Sequence, residues 1–214
     1  MTRLELWNGD ICVLEVDAIV NPASPTLWMS TGVGGALKRA GGDSIEYAAV
    51  RQGPVTVGSA VVTGAGSLAA EAVIHAVSLD SQHRTSGEAI AQAVRSALAR
   101  GREIGATSIA FPALGTGIGG YPLDEAAEIL VRTVREELGA ADSIEHVIFA
   151  LRGPATYEAF GRALARTAEP GASGGGPDAP TTKDIQSEAD AGAAPDAQAV
   201  PVGVPVRRVP GARA

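Results

Sequence analysis

Short runs of apolar and β-branched residues alternate with helical patterns along the first 167 residues of this 214-residue chain. Several runs are apolar at nearly every position, as at residues 73–77 and 109–111. Successive side chains of a strand point to opposite faces of its sheet, so such strands are buried on both faces. Helices must therefore cover both sides of the sheet, and we predict an α/β fold built in layers.

The pattern predicts strands with helices between them. The strands are short apolar runs at residues 4–7, 18–21, 60–63, 73–77, 108–111 and 147–151. Apolar residues recur with roughly the 3.6-residue helical period at 87–104 and 123–138, which predicts two amphipathic helices. A shorter helix is predicted after Pro154.

Composition changes abruptly after Thr167. Residues 168–214 contain no aromatic side chain and consist mainly of Ala, Gly, Pro and scattered charges. Such a segment cannot bury enough apolar surface to offset the entropy lost on ordering it. We predict a folded domain at 1–167 and a disordered, low-complexity tail at 168–214.

Charge and composition exclude several classes of function. The formal net charge is −7, with 17 Lys and Arg against 24 Asp and Glu, so we expect no duplex nucleic acid partner. No apolar run reaches the roughly 18 to 20 residues that span a bilayer, so no membrane association is expected. The single Cys12, and an N-terminus without the pattern of a secretory leader, favour a cytoplasmic location. The His and Cys residues show no metal-ligand spacing, and we predict neither a metal nor a cofactor.

The strongest functional signal is a glycine-rich segment, residues 115–120, between the strand at 108–111 and the helix at 123–138. Glycine lets the chain turn several backbone N–H groups towards one point, and lets a ligand approach the backbone closely. The start of the following helix also favours an anion. The segment is therefore predicted to hold a phosphate or a diphosphate.

Residues 115–120 also match the G-x-G-x-x-G pattern of dinucleotide-binding folds. That pattern requires an acidic residue about 20 positions further on, at the end of the next strand. Glu136 and Glu137 lie at that distance but inside a helical pattern, and the chain has no G-x-x-x-x-G-K-[ST] sequence. We therefore predict neither a Rossmann site nor a P-loop.

A second glycine-rich segment, residues 31–39, follows the strand at 18–21 and is predicted to be a loop that leads into a helix. Two glycine loops at the carboxyl ends of buried strands form a two-sided clamp in the crevice of an open sheet. Such a clamp suits a diphosphate better than a single loop does.

Two polar residues are notable for their positions relative to the predicted strands. Asp10 follows the first predicted strand, where its carboxylate suits either an exocyclic amine such as that of adenine, or the capping of a turn. His75 lies in an apolar strand, and we expect it to be a hydrogen-bonded core histidine.

The order and spacing of these segments resemble the macrodomain family across roughly residues 1–166. The resemblance implies a three-layer α/β/α fold with a central mixed sheet, which binds ADP-ribose or ADP-ribosylated proteins. The motifs that carry it are G-D-I at 9–11, D-A-I-V-N-P-A-S at 17–24, G-V-G-G-A-L at 32–37, I-H-A-V at 74–77 and F-P-A-L-G-T-G-I-G-G-Y-P at 111–122.

The resemblance also implies ligand contacts. Asp10 holds the adenine amino group and the Ile11 amide contacts the ring. Arg152 stands where many members stack an aromatic side chain on adenine; its planar guanidinium can stack in the same way, and an unpartnered surface arginine is the alternative. The residues implied to line the distal ribose and both sides of the diphosphate are Gly32, Val33, Gly34, Gly115, Thr116, Gly117 and Ile118.

Three departures from the family pattern bear on catalysis. Family hydrolases typically show Asn-Ala-Ala-Asn and an acid after Gly-Val, whereas this chain has Asn21-Pro22-Ala23-Ser24 and Gly34. Gly119 replaces an aromatic residue beside the distal ribose, which predicts a wider cavity at that end.

Hydrolysis survives these losses if the bound diphosphate itself orients the attacking water, because positioning then supplies much of the catalytic effect. Asn21, Ser24 and Thr31 are the candidate catalytic residues, and Asn21 is also a candidate ligand contact. We predict hydrolysis of ADP-ribose from mono-ADP-ribosylated proteins. The alternatives are a non-catalytic ADP-ribose reader and a hydrolase of a small derivative, such as acetylated ADP-ribose.

Overall fold

The computed structural model describes residues 2–139 and 142–168, and the predicted tail lies outside the described residues except for Ala168. The described chain contains a six-stranded sheet in the order β1-β6-β5-β2-β4-β3. The strands are Arg3–Asn8 (β1), Ala18–Ala23 (β2), Ala60–Gly64 (β3), Ala72–Val77 (β4), Ser108–Phe111 (β5) and His146–Leu151 (β6).

Five of the strands are parallel to one another, and β3 alone runs antiparallel, paired with β4 at one edge. All six strands that the apolar runs predict are therefore confirmed, and the sheet is mixed. Parallel alignment brings the carboxyl ends of β1, β6, β5, β2 and β4 to one edge of the sheet, where ligands bind in open α/β sheets.

Helices connect the strands. The helices predicted at 87–104 and 123–138 are confirmed to within a residue at each end. The helix predicted after Pro154 is also present, but with 15 residues it is as long as the one at 123–137 and not shorter. A short 3-10 helix also follows β1, at Ile11–Val13. The α-helices of the described residues are Gly32–Gly41 (α1), Asp43–Val50 (α2), Gly87–Glu103 (α3), Leu123–Glu137 (α4) and Pro154–Ala168 (α5). Within the described ranges, none of them combines the length and apolar character required to cross a membrane.

The second glycine segment corrects one prediction. The prediction placed the glycines after Thr31 in a loop, but α1 already begins at Gly32, with Thr31 as its N-cap residue. Gly32 has a φ of +59°, a conformation that glycine adopts without steric cost, and the N–H of Gly35 donates the first helical bond to the Thr31 carbonyl. The glycines therefore form the first turn of a helix.

The sheet separates two apolar cores, which confirms the three-layer α/β/α architecture. Adjacent residues of one strand belong to opposite cores: Val73 packs on the side of α1, and Ile74 packs on the side of α3, α4 and α5. Both side chains are fully buried. This arrangement is the physical reason that the strands are apolar at consecutive positions.

Asp17 fastens the start of β2 to the start of β5. Its Oδ2 accepts hydrogen bonds from the backbone N–H groups of Thr107 and Ser108 at 2.7 and 2.8 Å, and from their hydroxyls at 2.8 and 3.0 Å. Burial alone raises the pKa of Asp17, but these four donors outweigh it and hold the pKa below its ordinary value. The ionised carboxylate thus aligns two strands whose other ends carry glycine-rich segments.

Replacing Asp17 tests this fastening. We expect Asp17→Ala to lower the free energy of unfolding by about 2 kcal/mol, because several donors lose a charged acceptor. Glu15→Ala, at an exposed position two residues earlier, is the control and is expected to stay within roughly 0.5 kcal/mol of the wild type. Urea denaturation at neutral pH measures both. Equal stability of the two variants would contradict the assigned role.

Candidate functional site

A cavity of about 460 Å³ opens at the carboxyl edge of the sheet. Segments that follow β2, β4, β5 and β6 all contribute to its wall, as does the first turn of α5. Its lining residues are Pro22, Thr31, Gly32, Val33, Gly34, Leu79, Pro112, Ala113, Gly115, Thr116, Gly117, Ile118, Gly119, Ala150, Leu151, Arg152 and Thr156. The two glycine-rich segments, far apart in sequence, thus face one hollow.

The first turn of α1 forms one wall. The first backbone N–H groups of an α-helix have no intrahelical acceptor. In the described part of the chain, the amides of Gly32, Val33 and Gly34 donate to no protein acceptor. They remain available to a ligand, and the positive end of the ten-residue helix dipole favours an anion beside them.

The loop between β5 and α4 forms the opposite wall. Gly115 has a φ of +82°, and a Cβ there would lie 2.6 Å from the Cδ1 of Ile90, so only glycine fits without displacing the core. Among the residues described, the amides of Gly117, Ile118 and Gly119 find no protein acceptor. Each wall therefore offers three unpaired N–H donors.

A smaller hollow of about 90 Å³ adjoins the large cavity and shares five of its lining residues: Gly32, Val33, Pro112, Ala150 and Arg152. Asp10 and Ile11 line it as well. Oδ1 of Asp10 accepts the Cys12 N–H at 3.0 Å, while Oδ2 lies 3.7 Å from Nη2 of Arg152. The hydrogen bond from Cys12, helped by the charge of Arg152, holds the pKa of Asp10 below its ordinary value. Asp10 therefore caps the turn with one oxygen and keeps the other at the hollow.

The three candidate catalytic residues occupy different places. Thr31 lines the large cavity, whereas Ser24 does not, and the Ser24 hydroxyl lies 3.4 Å from that of Thr26. Asn21 is only 2% exposed and lies behind Gly34, since a Cβ at Gly34 would be 3.1 Å from Oδ1 of Asn21. The structure thus brings Thr31 to the wall, Asn21 just behind it and Ser24 outside it.

His75 confirms the prediction of a hydrogen-bonded core histidine. It is fully buried in β4, opposite Asn21 in the parallel register with β2. Its Nδ1 lies 3.1 Å from Nδ2 of Asn21, and its Nε2 lies 2.9 Å from the Thr63 hydroxyl on β3. Three neighbouring strands thus supply one continuous chain of polar groups.

The segment that carries Thr31 is held by a buried carboxylate that the sequence analysis missed. Glu46 on α2 is 3% exposed, accepts the Met29 N–H at 2.7 Å and pairs with Nζ of Lys38 at 2.6 Å. Burial raises the pKa of Glu46, but Lys38 and the Met29 amide outweigh it and the pKa is lowered. Glu46 therefore stays ionised and fixes the backbone two residues before Thr31.

Gly119 lines the large cavity in packing too close for a side chain, and the wider cavity at this end stays a prediction. A Cβ at Gly119 would lie 2.7 Å from the Gly115 carbonyl oxygen and 2.8 Å from Cδ2 of Leu79. The space beyond Gly119 is therefore already occupied. Leu79, which follows β4 and lines the cavity, was missed; its position after a buried strand is the signal that could have found it.

The chemistry of the cavity wall is dominated by the backbone. Among the described residues that line the large cavity, Arg152 is the one charged side chain, and the hydroxyls come from Thr31, Thr116 and Thr156. No carboxylate or imidazole of the described chain lines it. The cavity can therefore bind an anion and position a water, but its wall offers no side-chain base.

Comparison with known proteins agrees with this geometry. The sequence profile of the Macro domain family matches residues 20–130. A mutant macrodomain from Oceanobacillus iheyensis, solved with ADPR, superposes with a TM-score of 0.73 at 27% identity, covering 78% of this chain and 94% of that one. This chain belongs to the macrodomain family.

Two relatives extend the comparison. An O-acetyl-ADP-ribose deacetylase of Klebsiella pneumoniae is 42% identical over 167 residues, which are 75% of this chain and 95% of the relative. An uncharacterized protein of Mycobacterium tuberculosis is 40% identical over 164 residues, which are 77% of this chain but 45% of the relative. The chain thus spans less than half the length of the mycobacterial protein.

The buried state of His75 predicts a pH dependence of stability. Burial lowers the pKa of His75 from 6.5 to about 4. Between these values the unfolded chain binds a proton and the folded chain does not, so stability falls as the pH is lowered through this window. We expect the loss to be on the order of 3 kcal/mol larger in the wild type than in His75→Asn, which has no titrating group there. Urea denaturation across the window measures both proteins, and parallel pH profiles would contradict the prediction.

Proposed function

We propose that this macrodomain binds ADP-ribose with the diphosphate between its two glycine-rich walls. One observation carries the proposal: residues 32–34 and residues 117–119 line a single cavity, and within the described chain their amides have no protein acceptor. Neutral backbone donors bind a diphosphate without requiring a basic surface, which suits a chain with a net charge of −7. The structural relative solved with ADPR supports the same ligand.

The smaller hollow determines the orientation of the ligand, because it is the part of the site that suits adenine. Asp10 lines this hollow, where its Oδ2 can accept a hydrogen bond from the adenine amino group. The backbone N–H of Ile11, the next residue, can donate to the ring. Arg152 is 81% exposed at the border of both hollows and is free to lay its guanidinium on the adenine ring. The distal ribose then lies at the other end of the large cavity, beside Gly34 and Leu79.

The reaction that we propose at the distal ribose is hydrolysis of an ester, first of all the ester that links ADP-ribose to a protein carboxylate. Water adds its hydroxyl to the anomeric carbon of the distal ribose, the bond between that carbon and the ester oxygen breaks, and the second proton of the water goes to the released carboxylate. Because the wall offers no side-chain base, the bound diphosphate orients the water, with the Thr31 hydroxyl and the Asn21 amide as candidate helpers and Ser24 more remote.

Acetylated ADP-ribose is the second candidate substrate. The relative from Klebsiella pneumoniae that is named O-acetyl-ADP-ribose deacetylase aligns over 95% of its length, so the likeness covers its whole domain. The acetyl ester is attached to the same sugar and needs no protein surface around the cavity. Ser24 and Gly34, where family hydrolases carry polar side chains, favour a third outcome, a reader that binds and does not cleave.

Asp10 tests the orientation of the ligand. We expect Asp10→Ala to weaken ADP-ribose binding by roughly 1.5 to 3 kcal/mol, as for a lost hydrogen bond to a charged group. Asp124→Ala, at an exposed position on α4, is the control and should leave the affinity unchanged. Isothermal calorimetry measures both, and an unchanged affinity of Asp10→Ala would refute the adenine assignment.

Hydrolysis is tested with two substrates in parallel. The protein is incubated with a mono-ADP-ribosylated acceptor that carries ester-linked label, and separately with O-acetyl-ADP-ribose. Loss of label supports the protein hydrolase, and release of acetate alone supports the small-molecule hydrolase. Binding of ADP-ribose with both substrates left intact would overturn the enzymatic proposal in favour of the reader.

A further inference from the structure

The side-chain amide of Asn21 is satisfied at one end and unsatisfied at the other. Its Nδ2 lies 3.1 Å from Nδ1 of His75, but its Oδ1 has no hydrogen-bond partner within the described chain. Asn21 is 98% buried. A buried amide oxygen without a donor is costly, so such groups in folded proteins usually have a partner, which here the protein does not supply.

The position of this oxygen points to the distal end of the ligand. Oδ1 of Asn21 lies 3.1 Å from the place where a Cβ of Gly34 would stand. Gly34 lines the large cavity, whereas the smaller hollow beside Asp10 reaches only Gly32, Val33 and Ala36 of the same helix. The oxygen therefore lies behind Gly34, at the end of the cavity wall remote from Asp10, and Gly34 has no side chain to fill the space beside it.

His75 determines which atom of the amide faces that wall. When Nδ1 of His75 accepts from Asn21, the ring proton is on Nε2 and is donated to the Thr63 hydroxyl, 2.9 Å away. The opposite tautomer would require Asn21 to turn its oxygen to His75 and its NH₂ group to Gly34. The tautomer thus decides whether the cavity meets an acceptor or a donor.

We propose that His75 is a positioning residue, which holds the Asn21 amide so that Oδ1 faces Gly34 and accepts a hydrogen bond from a hydroxyl of the distal ribose. The inference rests on the proposed function, because it needs ADP-ribose in the large cavity. His75 itself touches no ligand and acts through Asn21. If His75 served only to pack the core, the orientation of the Asn21 amide would not matter for ligand binding.

The test compares ADP-ribose with ADP, which lacks the distal ribose, on the full-length chain. His75→Leu and His75→Asn have nearly the same shape, but only the introduced asparagine offers an acceptor close to the position of Nδ1. We expect His75→Leu to bind ADP-ribose roughly threefold to tenfold more weakly and ADP with unchanged affinity. His75→Asn should restore most of the ADP-ribose affinity.

Other outcomes of the calorimetry overturn the proposal. If His75→Leu weakens both ligands equally, or neither, His75 does not act on the distal ribose. Equal behaviour of the two variants also contradicts a role through the Asn21 amide. If the wild-type chain does not bind ADP-ribose, the proposed function itself fails. The wild-type titrations with ADP-ribose and ADP distinguish this outcome from a failure that concerns His75 alone.

A measurement on the wild type covers the case in which a variant does not fold. Nitrogen-15 NMR of the imidazole ring distinguishes the two tautomers through the shifts of Nδ1 and Nε2. We expect His75 to carry its proton on Nε2, both free and with ADP-ribose bound. A proton on Nδ1 would place the Asn21 oxygen against His75 and refute the proposal.

Discussion

The parallel alignment of five strands is the constraint on which the site depends. It brings the ends of β1, β2, β4, β5 and β6 to one edge, and the chain that follows each of these strands contributes residues that line the hollows. Because the central strands β2, β4, β5 and β6 are buried on both faces, both cores pack against the sheet that carries this edge. Two glycine-rich segments some 80 residues apart in the chain are thereby fixed opposite each other.

Backbone amides, rather than charged side chains, give this edge its chemistry. A chain with a net charge of −7 cannot attract an anion over a broad surface, and Arg152 is the one charge among the described residues that line the large cavity. Unpaired N–H donors act only at short range, which suits a ligand that must also fit by shape. The wall without a side-chain base is consistent with a reaction in which the substrate orients its own water.

The strands and the long helices could be predicted from the sequence. A strand that is buried on both faces leaves a continuous apolar run, and a helix that is buried along one stripe leaves an apolar residue every three or four positions. Two features did not follow. Asp43–Val50 is a helix of eight residues, too short for its period to stand out, and Gly32 starts a helix where its composition indicated a loop. The glycine walls and Asp10 were predicted, but Thr156 and the Asn21–His75 contact depend on strand and helix packing that no local pattern encodes.

The most direct test of the clamp is an NMR titration of the wild-type chain with ADP-ribose, which follows its backbone amide resonances. We expect the amides of residues 32–34 and 117–119 to shift together and to saturate at one ligand concentration, and inorganic pyrophosphate to shift the same two groups. Shifts confined to one of the two walls, or to residues outside both, would contradict the clamp.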